Sequence, residues 1–129
     1  MTIHSDRLND LAISDHFRLR EFECPCCHCV RLSPPLLFRL EALRAIWGRP
    51  ILITSGYRCP EHNVRVKGSP RSLHMLGRAA DVVVPFGEQE AVIRMAEKAN
   101  FSSILPYGRR NFIHLGVGDR SESASGAAA

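Results

Sequence analysis

Two imidazoles and one carboxylate are the residues of this chain best suited to chemistry. His74 and Asp81 lie in Ser72-Leu73-His74-Met75-Leu76-Gly77-Arg78-Ala79-Ala80-Asp81, and His114 lies in Phe112-Ile113-His114-Leu115. A Zn²⁺ ion in a hydrolytic site takes three protein ligands of these types and keeps a fourth position for water. Gly77 and the small Ala79 and Ala80 suit a loop that carries His74, turns at Gly77 and enters a strand carrying Asp81. Bare His-x6-Asp spacing does not by itself specify a metal, and a single His in a loop is ordinarily a polar surface group. Asp81 is less ordinary. It precedes Val82-Val83-Val84, and a carboxylate entering an apolar strand is costly to bury without a cation.

These side chains need a scaffold, and the surrounding pattern describes one. Ser33-Pro34-Pro35 reads as a helix start, with Ser33 placed to cap and Pro34 at the first helical position. Leu36, Leu37, Leu40, Leu43 and Trp47 follow a helical period, and Gly48 ends it. Residues 51–54, Ile-Leu-Ile-Thr, are expected as a buried strand ending at Ser55-Gly56. Residues 60–66 are expected as a short helix, 67–71 as a loop and 79–84 as a strand closed by Pro85. Residues 88–100 read as an amphipathic helix with Val92, Met95, Ala96 and Ala99 inward, followed by short strands at 102–105 and 112–117. Side chains alternate along a strand. Ile113, Leu115 and Val117 therefore share a core face, and Phe112, His114 and Gly116 share the other. Asp81 and Val83 likewise stand opposite Ala80, Val82 and Val84. His114 and Asp81 then project from one side of a sheet while His74 reaches in from a loop. The expected fold class is α+β: a small antiparallel-rich sheet with the 34–47 and 88–100 helices packed on one side.

At 129 residues, 45% of them apolar, the chain is one domain by length and can bury a single core. Residues 1–118 are expected as that domain, with a cysteine-rich N-terminal arm, and the Ser/Ala/Gly-rich 119–129 as a disordered tail. No apolar run approaches the ~20 residues of a membrane span. Met1-Thr-Ile-His-Ser-Asp-Arg has no apolar h-region, so no signal peptide and synthesis in the cytoplasm are expected. The net charge of +4 favours anionic partners such as cell-wall polymers or nucleic acid. The basic residues are scattered, however, without interleaved aromatics or a complete finger pattern, so nucleic acid is not the expected partner. A monomer is expected.

Cys24-Pro25-Cys26-Cys27-His28-Cys29 packs four thiols and an imidazole into six residues, and Cys59 is the fifth cysteine. The pairs Cys24/Cys27 and Cys26/Cys29 each have the Cys-x2-Cys spacing of half a structural zinc site. A complete site needs a second pair, and Cys59 stands alone. A second, structural ion on Cys24, Cys26, Cys27 and Cys29, a disulfide such as Cys24 with Cys59, and reduced thiols are the alternatives. A reducing cytosol disfavours the disulfide.

Taken together, Ser55-Gly56-Tyr57-Arg58-Cys59-Pro60-Glu61-His62-Asn63, Ser72-x-His74-x2-Gly77-x-Ala79-x-Asp81 and Phe112-x-His114 resemble the zinc D-alanyl-D-alanine carboxypeptidase type of peptidase. That group includes phage endolysins and murein endopeptidases and is distantly similar to the hedgehog signalling domain. The resemblance runs from about Phe17 to Val117, with the motifs in the family's order. It implies Zn²⁺ held by His74, Asp81 and His114, and hydrolysis of peptidoglycan stem-peptide amide bonds near D-alanine, as a carboxypeptidase or endopeptidase. It implies that Arg58 binds substrate or its carboxylate, that Ser72 contacts substrate or orients a ligand, and that Tyr107 lines the cleft. Tyr57 and Asn63 are expected to be structural. The Glu-Phe-x-Cys segment and the Cys of Tyr-Arg-Cys resemble phage-type members, which places the cysteine cluster near Cys59. The context implied is a phage or prophage lysis protein, released to the cell wall by other means, or a virion component.

The general base is where the chain departs from this group. Many relatives carry an acid a few positions before the third ligand, and others carry His-x-Asp. Here Asn111, Phe112 and Gly116 occupy those places, and none accepts a proton from water. Gly116 falls on the site face by alternation, where a carboxylate would be expected. Asp119, Glu122 and His62 are the candidate replacements. Without a base, the alternative is a catalytically weakened metal-binding or wall-binding module of the same fold.

Overall fold

The computed structural model describes residues 9–118. The expected 119–129 tail lies outside the described residues, and with it Asp119 and Glu122. Four antiparallel strands form one sheet: β1 (Ile53–Ser55), β2 (Ala79–Val83), β3 (Ser103–Pro106) and β4 (Phe112–Gly116), in the order β1-β2-β4-β3. Helices α1 (Pro34–Trp47) and α3 (Gln89–Lys98) cover one face, and the short α2 (Pro60–Arg65) follows β1. The α+β class with helices on one side is as expected.

Alternation separates core from site. Ala80, Val82 and Val84 on the β2 side, and Ile113, Leu115 and Val117 on the β4 side, enter a core shared with Leu36, Leu40 and Leu43 of α1 and Val92 and Ala96 of α3. Helix α1 begins with Pro34 at its first position and ends at Gly48, which takes the left-handed conformation (φ 74°). The Ser33 side chain makes no capping bond. Its backbone N–H donates instead to the Gly77 carbonyl at 2.8 Å, tying the start of α1 to the loop before β2.

One expectation changes. The 51–54 run is not uniformly buried. Ile51 and Ile53 point inward while Leu52 is 62% exposed, because β1 is an edge strand with one face open to solvent. The N-terminal arm also contributes to the core. Phe17 and Phe22 are fully buried with ring centroids 6.0 Å apart, Phe22 sitting in a 3-10 turn (Leu19–Phe22). Phe22 docks closely on the chain after β1. The Tyr57 N–H donates to the Phe22 carbonyl at 2.9 Å, and a Cβ on Gly56 would lie 2.6 Å from the Phe22 Cα. Single aromatics spaced through a polar segment have no period, which is why the arm's role was not visible in the pattern.

Candidate metal centre and its cleft

Antiparallel register sets Asp81 directly opposite His114 on the central strand pair β2–β4. His74 reaches the same point from a 3-10 turn (Leu73–Leu76), not from an irregular loop. The Ser72 hydroxyl caps that turn by accepting from the His74 N–H at 3.1 Å. Gly77 closes it with φ 70°, and a Cβ there would stand 2.3 Å from the Arg31 carbonyl oxygen. Only glycine meets both conditions without strain.

The three side chains converge. His74 Nε2 and His114 Nδ1 each lie 3.2 Å from Asp81 Oδ1, and all three residues are buried. Ligands each about 2 Å from a tetrahedral ion stand at such separations. The tautomer of His74 sharpens the fit. Its Nδ1 lies 2.7 Å from the Gly56 carbonyl, which only accepts, so Nδ1 carries the proton. In the neutral ring, the Nε2 lone pair then faces a carboxylate oxygen. Two lone pairs in contact call for a cation between them, and a divalent metal meets that need. A backbone carbonyl, not Ser72, thus fixes the second nitrogen of this ligand, the usual outer support of a metal-binding histidine. The other ring nitrogen of His114, Nε2, is buried without a partner among the described residues.

Burial alone would raise the pKa of Asp81. Its close contacts with His114 and His74 outweigh burial and hold the carboxyl well below the usual carboxylate range. The buried acid is therefore the anionic ligand that a metal requires.

Above the cluster opens a cleft of about 350 Å³, lined among others by Arg58, Lys67, Ser72, Tyr107, Arg110 and Phe112. Tyr107 and Phe112 stack with centroids 4.3 Å apart, and the Arg110 guanidinium lies over both rings. Arg58 is not a free fork at the rim. Nη1 donates to Asn63 Oδ1 at 3.2 Å, Nε meets Ser55 Oγ at 3.4 Å, and Nη2 lies 3.5 Å from Asp81 Oδ2. Asn63, fully buried, also donates from Nδ2 to the Ser69 carbonyl at 2.9 Å. It thereby positions Arg58 against the 67–71 loop, where a Cβ on Gly68 would collide with Asn63 and Arg58. Lys67 and Arg110 join Arg58 as cleft cations. Scattered in the sequence, they gave no signal there.

His62, on α2, is absent from the residues that line the cleft. Asp81 is the only carboxylate among the described lining residues. Gly116, expected as an open place on the site face, is packed solid. A Cβ there would lie 2.8 Å from Leu73 Cδ1, 3.3 Å from Ser103 Cβ and 3.5 Å from His114 Nε2. It sits beside Nε2 of the His114 ring.

The cysteine arm meets the far end of the same segment. The sulfurs of Cys24, Cys27 and Cys59 lie within 4.8 Å of one another, and all five cysteines are free thiols. Of the alternatives, the set Cys24, Cys26, Cys27 and Cys29 does not form one group within that distance; Cys59 joins Cys24 and Cys27 instead.

No curated protein matches the chain. The family model described as Peptidase M15 matches residues 15–116, a span that takes in the arm, Arg58 and all three convergent donors. Geometry and comparison agree: this chain belongs to the peptidase M15 family.

Proposed function

We propose that the chain is a zinc-dependent peptidase that hydrolyses amide bonds of peptidoglycan stem peptides near D-alanine. The observation that carries this is the buried His74–Asp81–His114 cluster at the floor of a cleft holding three cations and one carboxylate. His74 Nε2, Asp81 Oδ1 and His114 Nδ1 would hold the ion. Zn²⁺ so bound lowers the pKa of water towards neutrality and polarises a scissile carbonyl. The chain's own residues do the rest. Gly56 and Ser72 hold His74 in its ligating tautomer and orientation. Arg58, held on the cleft wall by Ser55, Asn63 and Asp81, adds its charge and its remaining N–H donors to Lys67 and Arg110, and together they attract and align the free carboxylate of a peptide. The stacked Tyr107–Phe112 pair gives the cleft a flat apolar wall for the backbone of a short D-amino-acid peptide. We assign this activity to the cell wall.

A second reading is favoured by one observation: beyond Asp81 no carboxylate lines the described cleft. General-base help is worth ~10²–10⁴ in rate. A chain without it would be a weak peptidase or a metal-dependent wall-binding module. Purified peptidoglycan and a defined D-alanyl-D-alanine peptide, incubated with parent and His74→Ala and with and without chelator, decide between them. Peptide release that needs zinc and His74 supports the peptidase. Retention on peptidoglycan without release supports the binding module. Release unaffected by both chelator and His74→Ala would sink the zinc assignment.

A further inference from the structure

We propose that Cys24, Cys27 and Cys59 form a second, structural metal site, a thiolate-bound Zn²⁺ that staples the N-terminal arm to the segment carrying Arg58. The three sulfurs lie within 4.8 Å of one another, and the thiolates around a tetrahedral zinc, each ~2.3 Å from the ion, stand at comparable separations. Cys24 and Cys27 supply the Cys-x2-Cys half of the site, and Cys59 comes from the loop after β1.

The backbone around them is shaped for thiolates. The Cys59 N–H points at Cys24 Sγ at 3.5 Å. The His62 N–H points at Cys59 Sγ at 3.4 Å, where Cys59 caps α2. The arm closes on itself between the ligands. Cys24 N–H donates to the Cys29 carbonyl, His28 N–H donates to the Cys24 carbonyl, both at 2.8 Å, and His28 takes a positive φ of 62°. Two more thiols belong to the same six-residue stretch, Cys26 and Cys29, and lie outside the 4.8 Å group. These two are the candidates for the fourth corner, which one of them would reach by turning its side chain towards the trio. Arg65 Nη1, 3.5 Å from Cys26 Sγ, supplies positive charge beside a site that would otherwise hold excess negative charge.

The site has a structural purpose. Between Phe22 and Val30 the arm sends no side chain into the core cluster, and small or loosely packed segments are commonly anchored by metal. Cys59 adjoins Arg58 and begins the helix that carries Asn63, so a staple there holds the cleft wall as well as the arm.

The test is metal content by mass spectrometry on protein purified under reducing conditions, with cobalt substitution as an independent readout. The parent should carry about two zinc ions per chain and His74→Ala about one. Cobalt bound to His74→Ala should show the thiolate-to-cobalt charge-transfer band, which the His/Asp site cannot produce. Cys24 is fully buried and its replacement risks unfolding, so Cys27→Ser at an exposed position carries the variant arm. It should lose the band and one zinc, leave the other zinc in place, and speed proteolysis before Ser33. Separate Cys26→Ser and Cys29→Ser variants identify the fourth ligand by which one weakens zinc retention. About one zinc in the parent and none in His74→Ala, with the thiols freely titratable or joined as a disulfide, would overturn the proposal. That result would leave the catalytic assignment standing.

Discussion

Replacing Gly77 by Ala tests how tightly the turn beneath the metal centre is built. Gly77 has φ 70°, and an added Cβ would stand 2.3 Å from the Arg31 carbonyl oxygen and 2.5 Å from its carbon, both backbone atoms with no rotamer to escape into. Gly48 is the internal control, with nearly the same φ (74°) and nothing within 4 Å of an added Cβ. A left-handed conformation costs a Cβ-bearing residue about 1–2 kcal/mol. Alanine returns roughly 0.4–1 kcal/mol by restricting the unfolded chain. Both effects are common to the two variants, so the difference between them isolates the collision. Forcing atoms into a packed site costs ~1–3 kcal/mol. Gly48→Ala should therefore lie about 0–1.6 kcal/mol below the parent, and Gly77→Ala a further ~1–3 kcal/mol below that. For a domain near 100 residues that further loss corresponds to a Tm lower by roughly 4–20 °C. Urea unfolding of the metal-free proteins measures the stability difference. Zinc titration adds a local readout, because relief of the clash must move either Arg31 or the turn that holds His74. Affinity should fall for Gly77→Ala and be unchanged for Gly48→Ala. Equal losses in the two variants, with equal zinc affinity, would refute the claim that close backbone approach at Gly77 positions His74.

Gly116→Asp should destabilise the fold and not restore a base, since its Cβ meets Leu73 and its carboxylate would be buried beside His114; a soluble, more active variant would contradict the packing seen there. Arg58→Lys should leave zinc binding intact and reduce kcat/KM for carboxylate-terminated peptides by about 10–100-fold, the loss of a charge-assisted hydrogen bond; an equal effect on amidated peptides would argue against carboxylate recognition. Glu41 accepts from the Ser14 hydroxyl at 2.5 Å and the His16 N–H at 2.8 Å. Burial opposes these bonds, but with His16 they hold its pKa below the ordinary value. A lowered acid stabilises the fold above its unfolded pKa of ~4.3, and that contribution is lost as pH falls through the folded value. Unfolding of Glu41→Gln against parent at neutral and acid pH should show a deficit that shrinks on acidification; a constant deficit would exclude this linkage.

Much of the site was legible because strand alternation is a property of local covalent geometry. Two apolar-flanked polar residues, Asp81 and His114, had to face away from Ala80, Val82, Ile113 and Leu115, whatever the rest of the chain did. Helices α1 and α3 were equally readable from leucine and alanine spacing, since burying one stripe of a helix leaves a period in the sequence. The family resemblance, carried by Arg58, Ser72 and the three ligands, pointed to the metal that spacing alone did not specify. The tertiary structure decided what depends on non-local contact. Register set Asp81 opposite His114, and the Gly56 carbonyl selected which His74 nitrogen faces the acid. Free volume showed Gly116 to be a filled position, and chain crossing brought Cys59 to Cys24 and Cys27 and turned scattered Lys67 and Arg110 into walls of one cleft. Period and residue type travel along the chain, whereas distance between remote residues exists only once the core has closed.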